Sequence, residues 1–265
     1  MASTLATISS NRIDARFERL REEKRKALVC YVTAGHPNRE KSLALLKGLE
    51  AAGADCVEVG VPFSDPIADG PVIQASSQQA LANGMTLEGA LDLVSEASLG
   101  IPVVLFTYLN PLMAAGPDVL QRAADSGVDG ILITDLPVGA DPDREEWLGS
   151  SELAFIRLVA PTTPVDRMKQ ITHSGSGFVY LISRLGVTGA SASISAELGA
   201  TAARLRSATD LPMCIGFGIS KPDQARDVAQ IADGVIVGSA LVKAAGNSVE
   251  EALSLVTSLR AALDE

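Results

Sequence analysis

A closed (β/α)8 barrel preceded by one extra helix is the fold this sequence predicts, and three observations carry that expectation. Short apolar runs alternate with longer helical patterns eight times over about 240 residues, the count of a closed TIM barrel rather than of an open doubly wound sheet. The runs are near-continuously apolar, as strands are when helices cover one face of a parallel sheet and packed side chains fill the other. Polar, Gly and Pro residues collect just past the C-terminal ends of those runs, on the rim where such barrels build their sites.

Each element follows in order. Residues 12–26 place Ile13, Phe17 and Leu20 at helical spacing among many charges, which predicts an amphipathic lead-in helix behind a flexible start over 1–11. Strand 27–33, ALVCYVT, is followed by a helix over 39–52, and DCVEVG at 55–60 by helical stretches over 71–82 and 87–98, the first opened by Pro71. Strand 102–108 leads to helix 117–126, 130–135 to 141–149, 154–160 to 164–173, 178–183 to 195–207, and 212–217 to 221–230. The eighth strand, 234–240, precedes a closing helix over 248–263. No composition shift or long linker divides the series, so 1–265 reads as one domain.

Composition narrows the function classes. Hydrophobic residues make up 47% of the chain, with 23 Gly and 13 Pro, which suits a globular protein with many short connections. The formal net charge of −10 argues against a nucleic-acid or anionic-membrane surface as the main partner, while leaving room for a local basic pocket. Cys30, Cys56 and Cys214 lie in apolar runs without spacing motifs and read as buried thiols of a reducing compartment. No apolar run approaches the roughly 18 residues that span a bilayer. A cytoplasmic protein is therefore expected, or a plastid one if the source is a plant.

The chemistry centres on 57–74, VEVGVPFSDPIADGPVIQ. Period-two alternation puts Val57 and Val59 on one face of the second strand and Cys56, Glu58 and Gly60 on the other. A Glu in such a run must point into the barrel mouth or be paired, because burying an unpaired carboxylate is costly, and desolvation there raises its pKa toward a value useful for proton transfer. Asp69, eleven residues on, faces the same space from the loop, while Asp65 in Ser-Asp-Pro reads as a turn former. Gly216-Phe217-Gly218 and Gly238-Ser239 follow the seventh and eighth strands, where barrels hold phosphate on backbone N–H groups. The small-residue loop SRLGVTGASAS over 183–193 has the composition of a lid, or of a plain surface connection. His36 and His173 lie in different contexts, which disfavours a His-based metal site, and no strand carries an obvious Schiff-base lysine.

These segments, together with TDLP at 134–137, SRLGVTGA at 183–190, IGFGIS at 215–220 and DGVIVGSALV at 233–242, resemble the alpha subunit family of tryptophan synthase from about residue 16 to the C-terminus. The resemblance implies retro-aldol cleavage of indole-3-glycerol phosphate to indole and glyceraldehyde 3-phosphate without metal or cofactor. It implies that Glu58 is the acid/base at indole C3 and that Asp69 stabilises the indole N–H. Tyr180 matches a pocket tyrosine, Thr188 the lid threonine, and Gly189, Phe217, Gly218, Gly238 and Ser239 the phosphate-binding turns. It further implies a pyridoxal-phosphate beta subunit as partner in an alpha2-beta2 heterotetramer, with Pro62, Pro66, Asn110 and Pro137 near it and the cofactor held by that partner. Phe106 stands where the family varies among apolar residues. Three alternatives stay open: a stand-alone lyase releasing free indole, a catalytically idle regulatory barrel, and a generic phosphate-sugar isomerase.

Overall fold

The computed structural model describes residues 11–183, 196–216 and 218–265. Eight parallel strands close a barrel in chain order: β1 (Ala27–Thr33), β2 (Cys56–Gly60), β3 (Val103–Thr107), β4 (Gly130–Ile133), β5 (Ala154–Val159), β6 (Val179–Ile182), β7 (Met213–Gly216) and β8 (Gly234–Val237). Closure runs from Ala27↔Gly234 to Cys30↔Val237, so no strand edge is left open in the ring. Around it lie α1 (Arg12–Glu22), α2 (Arg39–Leu49), α3 (Pro71–Ala82), α4 (Leu87–Ala97), α5 (Leu109–Ala115), α6 (Val119–Asp125), α7 (Pro142–Gly149), α8 (Val165–His173), α9 (Ala196–Arg206), α10 (Pro222–Ala229), α11 (Ser239–Asn247) and α12 (Val249–Leu263).

Two places depart from the sequence reading. The rim residues after β3 form α5, and the eighth strand stops at Val237 rather than running to residue 240, with α11 starting at Ser239. In both places an apolar strand runs directly into a helix with at most one residue between, so hydropathy changes little across the boundary. The lead-in helix stops at Glu22 because Lys24 leaves the helical region with φ +55. Its start is capped by Asn11, whose side chain accepts from the Ile13 N–H and donates to the carbonyl of Asp129.

The barrel interior and the helix layer form separate apolar clusters. Ala27, Val29, Cys56, Val104, Leu132, Ile156, Cys214 and Ile236 point inward, and Ile13, Phe17 and Leu20 of α1 join them from below. The lead-in helix is thus the floor of the barrel, with the Phe17 and Phe178 rings 5.5 Å apart. Gly130 makes room for it, since a Cβ there would lie 2.7 Å from Ile13 Cδ1. Full burial of each such side chain contributes roughly 1.5–3 kcal/mol. Val57 and Val59 instead face the helices, and the three cysteines are all buried, Cys30 in the outer cluster and Cys56 and Cys214 inside.

At the lower rim, side chains preceding the even strands bind an amide within the first two residues of each odd one. Asp55 accepts from the N–H of Leu28, Asp129 from Val103, Ser176 from Phe155 and Asp233 from Met213, each at 2.8 Å. These amides would otherwise lack a partner where the ladder begins. Arginines neutralise the three carboxylates: Arg16 and Arg260 reach Asp55 at 2.5 and 2.9 Å, Arg12 reaches Asp129 at 3.2 Å, and Arg206 reaches Asp233 at 2.7 Å. Asp55 is 1% exposed and ties α1, α12, β1 and β2 together. Asp55→Ala leaves the Leu28 amide and Arg16 without their partner and Arg260 with only Asp264 and the Lys26 carbonyl, and is expected to cost about 3 kcal/mol. Urea unfolding of the variant measures this, and an unchanged midpoint would show the cluster to be idle.

Candidate active site

Glu58 lies on the inner face of β2, as the alternation requires, in register with Tyr31 on β1 and Val104 on β3. It is 1% exposed, and its Oε1 has no hydrogen-bond partner among the described residues. Burial pushes its pKa up from the ordinary 4.5 to about 8. At neutral pH the group is mostly the protonated acid. That state reconciles an unpaired carboxyl with an apolar surrounding.

Two tyrosines complete the walls. Tyr180 on β6 is half-buried against the inner cluster, and its phenol is pushed well up by burial and then by the charge of Glu58. Tyr31 is 5% exposed and meets Phe106 edge to face with ring centroids 5.2 Å apart. Each ring reaches across a glycine on the next strand: a Cβ on Gly60 would fall 2.0 Å from the Tyr31 hydroxyl, and one on Gly216 would fall 2.4 Å from that of Tyr180. Alanine at either position would displace a tyrosine from the pocket.

Asp69 sits at the end of the β2–α3 loop, half-buried. Its amide donates to the carbonyl of Pro66 at 3.1 Å, and Gln74 Nε2 donates to its own carbonyl at 2.8 Å. The Tyr108 hydroxyl accepts from the Ala68 N–H and donates to Asp69 Oδ2, both at 3.0 Å. Burial raises the Asp69 pKa and the Tyr108 bond opposes that rise. Tyr108 also packs on Phe63, with centroids 5.1 Å apart. Asp65 is exposed and closes the turn, accepting from Ser64 Oγ at 2.7 Å and, through its carbonyl, from the Ile67 amide.

Not every residue singled out in the sequence gathers here. Gly238 is the N-cap of α11 and Ser239 its exposed first residue, so the free N–H groups of that helix open on the rim. Gly218 is exposed with φ +88, a conformation that favours glycine. Thr188, Gly189, Phe217 and the lid expected over 183–193, beyond Ser183, lie outside the described residues. Asn110 and Pro137 are exposed and Pro66 is half-buried, whereas Pro62 is buried within the chain. Ile67, which the sequence reading passed over, stands 84% exposed at the tip of the same loop. Tyr31 and Tyr108 were also missed as pocket residues. Tyr108 ends a predicted strand at the rim, which was a usable signal, but its tie to Asp69 spans 39 positions and exists only once β2 and β3 pair. Among the described residues, no group of three or more His, Cys, Asp or Glu gathers to hold a metal ion, and no helix is long and apolar enough to cross a membrane.

The burial of Glu58 carries a pH signature in stability. An unfolded chain gives up this proton near 4.5 and the folded one only near 8, so the folded state holds the extra proton between them and stability falls as pH rises through that window. Glu58→Gln removes that loss. Its melting temperature is expected to exceed that of the parent at pH 8 and to approach it near pH 4.5, as thermal unfolding at the two pH values will test; equal differences at both would contradict the burial argument.

Comparison with known proteins agrees with the geometry. The family model described as tryptophan synthase alpha chain matches residues 17–265. The chain is 47% identical over 243 residues to the tryptophan synthase alpha chain of Phenylobacterium zucineum, covering 90% of this chain and 88% of that one. Identity to the Caulobacter vibrioides protein of the same name is 46% over 239 residues, covering 89% and 87%. Among solved structures, tryptophan synthase subunit alpha from Legionella pneumophila superposes with a TM-score of 0.88 at 35% identity, over 97% of this chain and 99% of that one. A chain of tryptophan synthase from Mycobacterium tuberculosis superposes with a TM-score of 0.88 at 32% identity, over 97% and 100%. The chain belongs to the tryptophan synthase alpha chain family.

Proposed function

We propose that the pocket over Glu58 carries out the family's lyase reaction, cleavage of indole-3-glycerol phosphate to indole and glyceraldehyde 3-phosphate, with Glu58 and Asp69 as the catalytic pair. The observation that carries the assignment is a buried, strand-borne carboxyl with one free oxygen and a pKa near 8, facing the mouth where a second carboxylate is held ready. The indole ring leaves as a neutral molecule only if C3 is first protonated. Glu58 delivers that proton, and positive charge develops at the ring nitrogen, whose N–H points to the Asp69 carboxylate. The carbon–carbon bond then breaks, its electron pair returning to the ring, while the hydroxyl of the adjacent carbon becomes the aldehyde and gives its proton to the Glu58 carboxylate. The acid is restored, and the step balances with protein groups alone.

Binding energy remote from the breaking bond comes from the phosphate. Gly218, Gly238 and Ser239, with the N-terminus of α11, supply N–H groups on one side of the mouth, and Gly189 and Phe217 are proposed to complete that cradle. Tyr180 and Tyr31 border the ring, and Thr188 is proposed to meet Asp69 when the loop after β6 closes. The family works with a beta subunit, and an alpha2-beta2 assembly with pyridoxal phosphate on the partner is the form proposed here. Its docking face uses Pro66, Asn110 and Pro137 with the exposed Ile67, while the buried Pro62 shapes the loop from beneath. On this reading the protein acts in the cytoplasm.

Glu58→Gln and Asp69→Asn are each expected to lower turnover of indole-3-glycerol phosphate at least about a hundredfold while the fold persists. Near-normal rates in well-folded variants would defeat the assignment. In the parent protein, kcat/KM should decline above about pH 8 as Glu58 loses the proton it must donate, and that limb should be absent from the residual activity of Glu58→Gln. Adding a beta subunit should raise the rate; high activity alone, unchanged by the addition, would point to a stand-alone lyase.

A further inference from the structure

We propose that Asp135, the acidic residue of the TDLP segment, is a positioning residue for Asp69, acting through Tyr108. The segment follows β4 and takes no part in the chemistry above, yet its carboxylate reaches across to the neighbouring unit. Asp135 Oδ1 accepts from the Leu109 N–H at 2.8 Å. Leu109 is the first residue of α5, and Tyr108, its N-cap, makes no side-chain cap, since a phenol oxygen stands too far from its own backbone to reach the first amides. Asp135 supplies the missing cap from another loop.

That bond fixes the backbone at the point where the Tyr108 side chain departs. Just before it, the Thr134 amide donates to the carbonyl of Thr107 at 3.1 Å, so both flanks of Tyr108 are held by the β4 side of the rim. The ring then projects over Phe63, and its hydroxyl spans Ala68 and Asp69. The series Asp135, Leu109, Tyr108, Asp69 therefore joins three consecutive barrel units, β4 to β3 to the β2–α3 loop. Without it Asp69 rests on its own loop and Gln74 alone. A small rotation at Tyr108 is amplified along the length of the phenol, and hydrogen bonds of 3.0 Å tolerate little of it.

The proposal rests on the assignment of Asp69 made above, and its test is separable from that assignment. The full-length chain is compared with Asp135→Ala, Asp135→Asn, Tyr108→Phe and the Asp135→Ala/Tyr108→Phe double variant. Asp135→Ala is expected to lower kcat about tenfold with KM within about twofold, the pattern of an interaction lost mainly in the transition state. Asp135→Asn keeps an accepting oxygen and should stay within about twofold of the parent. In the Tyr108→Phe background the alanine change should cost no more than about twofold, because residues acting in series do not add. Carbon-detected titration of the Asp69 carboxyl should show its pKa moved up in both Asp135→Ala and Tyr108→Phe, since the phenol that opposes burial is displaced or absent; Tyr31 on β1 is the other titratable group that Asp69 influences. An unmoved Asp69 titration in Asp135→Ala overturns the proposal, whether or not the melting temperature falls. So does a loss of kcat that multiplies fully in the double variant. If the parent chain fails to cleave the substrate, the function falls, while the carboxyl titration still decides the role of Asp135.

Discussion

A carboxyl group on the inside of a closed barrel must be paired or neutral, and much of this molecule follows from the second choice at Glu58. Neutrality near pH 7 requires that water be kept from the carboxyl, which in turn requires a filled interior beneath it. The lead-in helix does that filling: Ile13, Phe17 and Leu20 close the lower opening, and Val29, Val104 and Leu132 pack above them. The helix that looks peripheral in sequence is thus part of what sets the acidity of the pocket. Stability is the counterweight, since the same burial makes the ionised form of Glu58 costly.

Carboxylates at the two ends of the barrel behave in opposite ways for a reason visible in their partners. Asp55 is as buried as Glu58 yet accepts from two arginines and an amide, so its charge is spent on holding strands and helices in place. Glu58 keeps an oxygen free. Equal burial of the same functional group gives a paired anchor in one case and an unpaired, neutral acid in the other, and the number of donors aimed at it decides which.

The upper rim divides its work between rigid and adjustable parts. Glu58, Tyr31 and Tyr180 stand on strands, where register fixes their heights, and glycines at Gly60 and Gly216 give the phenols their space. Asp69 stands on a loop, and its placement is borrowed from Tyr108 one strand away. A half-buried loop carboxylate is thereby held in place without deep burial, by a hydrogen bond from the neighbouring barrel unit.

The barrel and its eight strands were legible in the sequence because closed parallel strands are apolar on both faces, and period-two alternation put Glu58 on the face opposite Val57 and Val59; Arg157, also buried in β5, faces the helices instead, where Glu145 of α7 pairs with it. Helical spacing likewise revealed that α1 would bury Ile13, Phe17 and Leu20. Helix α5 is hidden in the sequence because only Tyr108 separates it from the apolar strand before it, whereas a short helix at the Gly238-Ser239 turn is expected and only the end of the eighth strand falls earlier. What only the tertiary structure decided is which residues meet across units: Asp135 with Leu109, Tyr108 with Asp69, and Asp55 with Arg16 and Arg260. It also turned Pro62 inward and left Ile67 outside, although both lie in the same loop. Periodicity fixes the face on which a side chain lies, but its partner depends on register and barrel closure, which bring together positions 26 to 205 residues apart.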